Sequence, residues 1–298
     1  VTAPAVNDPI PPASPLRRLA AALHRHDRTR LGLLLASPIG WLVLVYLGSL
    51  AILFANAFFT RDAFSGATIY QPTLANLTRL LDEPYPGITL RTLGMAVAVT
   101  LTCAVLALPI ALFMARVVPA RFRNAMVVAV IVPLWASYLI KIYSWRLILA
   151  EEGILNELLR PLGLEGPGFG DVAVWLVFTY LWLPYMILPV YAGLERIPDS
   201  MLEASADLGG RSWVTFRRVV LPLVLPALVA GSIFTFSLTL GDYIAPAQVS
   251  TTIFIGNAIY SNFGAGNLPL AAALALIPLG IVIVYLLVAR RLGAFEAL

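Results

Sequence analysis

Six stretches of the chain carry no Asp, Glu, Lys or Arg: residues 31–60, 92–115, 124–140, 172–194, 219–241 and, longest, 243–289. A helix crosses the apolar layer of a bilayer with about 20 residues. The first five stretches therefore predict one span each, at 33–59, 90–114, 125–143, 172–194 and 219–240, the third continuing past Lys141. The last holds a loop or re-entrant segment, 242–267, and then a sixth span at 270–288. The expected fold is an all-α membrane protein of six transmembrane helices, because a soluble core has no need of so many long neutral runs.

Polar segments separate these runs. Residues 60–88 end in the turn-rich Asp82-Glu83-Pro84-Tyr85-Pro86-Gly87. A short basic loop follows at 116–123, and residues 144–171 are expected to be helical at 151–159 and broken at 163–170. Four regions result: a Pro-, Ala- and Arg-rich tail, 1–30, read as disordered; a first span with its outer segment, 31–87; a five-helix core, 88–291; and, inside it, a polar loop, 195–222. Ala55-Asn56-Ala57 has the look of a signal-peptidase site. The apolar run before it is much longer than a signal's 7–15 residues, so an uncleaved span is expected.

Composition agrees: 60% of the 298 residues are hydrophobic and 12% charged, against about 25% charged in soluble domains. The net charge of +4 concerns placement in a membrane, not nucleic acid. With the N-terminus in the cytoplasm, the inside segments hold fourteen of the 20 basic residues. That bias predicts an N-in, C-in protein. Cys103 is the only cysteine, so no internal disulfide is possible.

Proline recurs within spans two to six, at Pro109, Pro133, Pro184, Pro189, Pro222, Pro226 and Pro278. Each removes a backbone donor and bends its helix. Membrane helices are richer in proline in general; bent helices around a cavity that opens alternately to each side are the functional reading.

The polar stretch 195–218 has the marks of two short helices around a glycine break. Pro198-Asp199-Ser200 stops the fourth span, and Ser200 and Glu203 have the spacing of a capping box. Gly209-Gly210 ends the first helix, and Ser212 is placed to cap a second that leads through Trp213 and Phe216 into the fifth span. Such a loop is either an ordinary interfacial helix or a handle for a soluble partner.

The loop's residues resemble a known family. Glu203, Ala204, Ser205, Gly209, Val219, Leu221 and Pro222 follow the cytoplasmic-loop signature of ABC importer permeases, departing only in Ser205, where that family usually has alanine. The likeness covers 88–291. Lys141-Ile142-Tyr143-Ser144-Trp145, Gly153-Ile154-Leu155-Asn156, Tyr180-Leu181-Trp182-Leu183-Pro184 and Ile255-Gly256-Asn257-Ala258-Ile259 look like the spermidine/putrescine branch, although the chain is shorter than expected between Ala247 and Ile253. The resemblance implies an ABC importer permease (MetI-like) fold in a bacterial inner membrane. It implies that Glu203, Ala204, Ser205, Gly209, Leu221 and Pro222 seat a cytoplasmic ATP-binding subunit in two copies. It further implies a second permease subunit, an extracytoplasmic substrate-binding protein, and a polyamine or related organic cation as cargo.

The rest of the chain narrows the chemistry. Its single lysine, Lys141, lies in or near a span, so no phosphate-binding loop of the Gly-rich, Lys-ended type is possible. His24 and His26 are confined to the tail, which excludes histidine-based catalysis or metal binding within the spans; a weak metal site in His24-Arg25-His26 is less expected than a solvated tail. No cofactor is expected. Asp242, just past the fifth span, is a candidate for guiding a cation, or else a solvated helix end. Tyr180, Trp182 and Tyr185, with Tyr143 and Trp145, offer aromatic faces worth about 0.5–2 kcal/mol each to an alkylammonium group; an interfacial aromatic belt is the plainer alternative. Asn257 either lines an entry segment or caps a turn. A stand-alone secondary carrier, which would often show inverted repeats and intramembrane charges, and a membrane enzyme are the weaker rivals.

Overall fold

The computed structural model describes residues 27–62 and 64–293, and divides the chain into two units, Val1–Ala55 and Asn56–Leu298. Residues 1–26 of the expected tail, with His24 and His26, lie outside the described residues. Residues 27–30 open a helix instead. The first unit contains α1 (Asp27–Trp41), a π-helical segment (Leu42–Leu47) and most of α2 (Gly48–Asn56). Together they supply an apolar helical run, Leu34–Asn56, none of whose most apolar window is buried.

The second unit begins with a small antiparallel hairpin, β1 (Thr60–Arg61) and β2 (Thr68–Ile69), and a short helix α3 (Ala75–Arg79). Asp62 closes the hairpin by accepting from the backbone N–H of Ser65 at 2.7 Å and of Phe64 at 2.9 Å. Those donors favour the ionised carboxylate and hold Asp62 below its usual range.

The bundle follows: α4 (Tyr85–Leu112), extended by a π segment, Phe113–Val117; α5 (Ala120–Trp135); α6 (Tyr138–Leu149); α7 (Ile154–Leu159); and α8 (Asp171–Glu195). Beyond them lie α9 (Asp199–Asp207), α10 (Ser212–Thr215) with the π segment Phe216–Val220, α11 (Leu221–Gly241), α12 (Ile244–Val249), α13 (Ile255–Gly264) and α14 (Leu268–Arg291). Among the described residues, five helices are long and apolar enough to cross a membrane, six if α5 and α6 are one broken span.

The core forms where α8 packs on both α4 and α11, which also touch each other. Val174, Val177, Phe178, Leu181, Met186, Val190 and Leu194 of α8 are all buried. The α8–α11 contact is close because Gly231 has no side chain: a Cβ there would stand 3.1 Å from Met186 Cα. Small residues let apolar helices approach until their backbones pack.

Two sequence expectations need correction here. The third span is not the continuous helix 125–143. It breaks after Trp135, runs extended through Ala136 and Ser137, and resumes in α6 at an angle of 88°. The break falls on the C-terminal side of Pro133, not in the turn before it, and Lys141 Nζ donates to Pro133 O at 3.2 Å beside the bend. A break in a span is tolerable only when such freed carbonyls find partners. The segment 242–267, expected as a loop or re-entrant segment, holds the short helices α12 and α13. The helix expected at 151–159 is shorter, starting at Ile154.

Candidate functional site

The elbow between α8 and α11 stands out from the core. Glu203, Ala204, Asp207, Leu208 and Gly209 are exposed, while Ser205 is partly buried. Four apolar side chains here also face outward: Met201, Leu208, Trp213 and Val214, with Leu208 91% exposed. Leu202 and Phe216 pack inward, against the main core. An exposed helix carrying large apolar side chains at a polar loop is the form of a surface that another protein covers.

The helix ends of this elbow differ from the capping expected. Pro198, at φ −70° and ψ 144°, is the residue before α9, and no side chain caps it. The Ser200–Glu203 box does not form: Ser200 lies inside the helix, which starts at Asp199, two residues before the Met201 start that a Ser200 cap implies, and the Asp199 carboxylate accepts from Arg116 at 2.6 Å. Ser212 is likewise the first helical residue of α10, not its cap. The glycine break behaves as expected. Gly209 has φ +78°, its N–H donates to Ala206 O at 2.8 Å, and the N–H of Gly210 donates to Ser205 O at 2.8 Å. These paired bonds form a Schellman ending, which satisfies the last carbonyls of α9.

Leu221 and Pro222 open α11 immediately after the π segment Phe216–Val220. Proline has no N–H to give the turn before it and its ring needs room there; a widened turn supplies that room.

The aromatic candidates separate into two groups. Trp182 is buried, its ring 6.2 Å from Tyr138, 6.3 Å from Phe178 and 6.0 Å from Tyr185, which in turn lies 6.1 Å from Phe234. Tyr180 sits apart, 41% exposed, with its ring 5.5 Å from Trp145. Asp242 joins the first group, since the Tyr138 hydroxyl donates to its carboxylate. Asp242 also accepts from Ile244 N at 2.8 Å and Ala245 N at 3.1 Å, fixing the start of α12. Asn257 donates through Nδ2 to Tyr243 O at 2.8 Å and accepts from Phe254 N at 3.3 Å, which ties α13 to the end of α11.

Tyr138, Phe178 and Phe234 are the members of this row that the sequence did not single out. Tyr138 was placed within a continuous span, where nothing marked it. The bend at Ala136-Ser137 is what brings it to Asp242. Phe234 is one of several Phe residues in apolar runs and carries no local signal.

A sequence profile described as binding-protein-dependent transport system inner membrane component matches residues 107–294. The inner membrane ABC transporter permease protein YdcU of Escherichia coli (strain K12) is 48% identical over 283 residues, which cover 89% of this chain and 90% of that one. The spermidine/putrescine transport system permease protein PotB of the same organism is 36% identical over 237 residues, 77% of this chain and 85% of its own. Among solved structures, a chain of a bacterial ABC transporter involved in the import of the acidic polysaccharide alginate superposes with a TM-score of 0.67 at 18% identity, covering 93% of this chain and 98% of that one. A chain of the MetNI methionine ABC transporter, in an inward-facing conformation, superposes with a TM-score of 0.55 at 19% identity, covering 73% and 99%. At these identities the two structures speak for the fold alone.

Proposed function

Since the chain belongs to the family of binding-protein-dependent transport system inner membrane components, we propose that its elbow, residues 195–222, seats the importer's ATP-binding subunit and that its bent spans pass a polyamine or related small organic cation. As a permease of this family it works in the inner membrane with an ATPase subunit and a binding protein, and ATP hydrolysis lies on the ATPase subunit. The observation that carries the docking reading is the exposed α9, with Met201 and Leu208 uncovered beside Glu203, Ala204 and the Schellman turn at Gly209. In this reading two copies of the ATP-binding subunit engage two permease subunits, each through such an elbow, and orientation is N-in, C-in. Nucleotide binding moves the elbow, and the bundle shifts between outward- and inward-open states whose populations the nucleotide biases.

Three features support a cationic cargo. PotB, named for spermidine and putrescine, is 36% identical. Asp242 places a carboxylate beside Tyr138 at the end of α11. Trp182 and Tyr185 extend from there as a row of π faces suited to alkylammonium groups. Tyr180 and Asn257 complete the proposed pathway set, Tyr180 at its exposed margin and Asn257 as the brace of α13. A second reading, an importer of another small solute, is favoured by the 48% identity to YdcU, whose name carries no cargo. The deciding experiment reconstitutes the chain with its ATPase, permease and binding-protein partners in proteoliposomes and follows labelled putrescine and spermidine. ATP-dependent uptake of either supports the proposal. A complex that hydrolyses ATP yet moves neither, while its binding protein retains a different solute, selects the second reading.

A further inference from the structure

Arg116 is the basic residue of the π segment that extends α4, and its guanidinium holds three acceptors at once. Nη1 donates to Asp199 Oδ1 at 2.6 Å, and Nη2 donates to Leu194 O at 2.9 Å and Ile197 O at 2.8 Å. All three acceptors lie in the short segment where α8 ends and α9 begins. Leu194 O, in the last turn of α8, already accepts from the backbone N–H of Ile197 at 3.3 Å, and Arg116 adds a second, charge-assisted bond to it from another span.

We propose that Arg116 is a positioning residue that clamps the end of the second span to the junction of α8 and α9, so that the end of α4 and the elbow helix move as one body. The proposal rests on the reading of α9 as the ATPase seat. Packing links α9 to α10 and to the π segment leading into α11, which is a connection toward the fifth span. Arg116 adds a connection toward the second, across 83 residues of sequence. The flanking turns fit such a role: a π-helical stretch, Phe113–Val117, sets the side chain at the end of α4, and widened turns of this kind recur at functional positions. The clasp also borders a cavity of about 520 Å³ that Arg123 and Glu195 help to line, which gives the joined ends room to move.

The relative weights of the three bonds follow from exposure. The Asp199 side chain is 81% exposed and that of Arg116 26%. An ion pair with so exposed a partner contributes little. The two carbonyl bonds are partly buried and charge-assisted, the stronger kind. The clasp therefore depends on the guanidinium fork more than on the charge of Asp199.

The test uses the assembled importer complex in nanodiscs, in a Cys103→Ser background. Spin labels on Phe113→Cys and Asp207→Cys report the α4–α9 distance, and labels on Asp207→Cys and Leu287→Cys report movement of α9 against α14. ATP is expected to change the 207–287 distance while leaving 113–207 unchanged. In Arg116→Ala the 113–207 distance becomes nucleotide-dependent, in Arg116→Lys it does so partially, and in Asp199→Asn it stays constant. A wild-type 113–207 distance that changes with ATP overturns the proposal, as does one that stays constant in Arg116→Ala. Should Arg116→Ala not assemble, the lysine variant is decisive, and a constant distance there overturns it too. A 207–287 distance indifferent to nucleotide would sink the docking reading itself, an outcome separate from these.

Discussion

The hydroxyls of Ser205 and Thr215 meet at 2.8 Å across the glycine turn, joining α9 to α10. The bond holds the two short helices of the elbow in one arrangement, although neither helix is long enough to be stable alone.

Removing this bond should loosen the elbow without abolishing its function. A hydrogen bond of this kind contributes about 1 kcal/mol. Ser205→Ala and Thr215→Val should each raise hydrogen exchange at the amides of 209–210 by about fivefold in the assembled complex, and the double variant should be no worse than either. Additive effects would show that the two hydroxyls act separately. Uptake should persist in Ser205→Ala, since alanine favours the helix more than serine.

Gly209 is more sensitive. Its φ of +78° lies in the left-handed region, where a side chain costs roughly 1–2 kcal/mol. Nothing crowds the position, so the conformation alone decides. Gly209→Val should insert normally and lose ATP-dependent uptake, whereas Gly209→Asn, which tolerates this conformation better, should keep much of it. Equal uptake by the valine variant and wild type would contradict the docking role of the elbow.

Gly231 tests the core. A side chain there meets Met186 Sδ at 2.8 Å and Met186 Cα at 3.1 Å. The thioether can swing aside but the backbone of α8 cannot. Gly231→Leu should destabilise the bundle by about 1–3 kcal/mol or more, read as a lowered melting temperature in detergent, and Gly231→Ala by less. An unchanged melting point for the leucine variant would mean that α8 and α11 can separate freely.

Asp242 and Tyr138 test the cargo. Asparagine at 242 keeps an oxygen for the N–H groups of Ile244 and Ala245 but removes the charge. If a cation passes this point, Asp242→Asn should reduce putrescine uptake by about tenfold, some 1.4 kcal/mol, with ATP hydrolysis retained. Tyr138→Phe, which leaves the carboxylate in place, should reduce it less. Matching losses of uptake and hydrolysis in Asp242→Asn would instead point to a misplaced α12.

Run length and residue type were enough for much of this. Neutral stretches of about 20 residues marked the spans, because a bilayer imposes that length on any helix that crosses it. The break at Gly209-Gly210 was visible because only glycine takes the left-handed position cheaply. The elbow's family pattern, Glu203 to Pro222, is contiguous and polar, and so could be recognised before any fold was known.

Long-range pairing was not legible in this way. The sequence places a proline at 133, but the break comes after Trp135, and the 88° turn there brings Tyr138 to Asp242. The local pattern Ser200-x-x-Glu203 favoured a capping box, but the helix starts two residues earlier, at Asp199, where Arg116 reaches in from another span. Trp182 and Tyr180, two positions apart in one helix, face different surroundings, buried row and exposed margin. Periodicity, proline and glycine act on the few residues around them, whereas the partners of Arg116, Tyr138 and Ser205 lie 83, 104 and 10 positions away. Such pairs exist only once helices have closed on one another, since it is packing that selects which side chains meet.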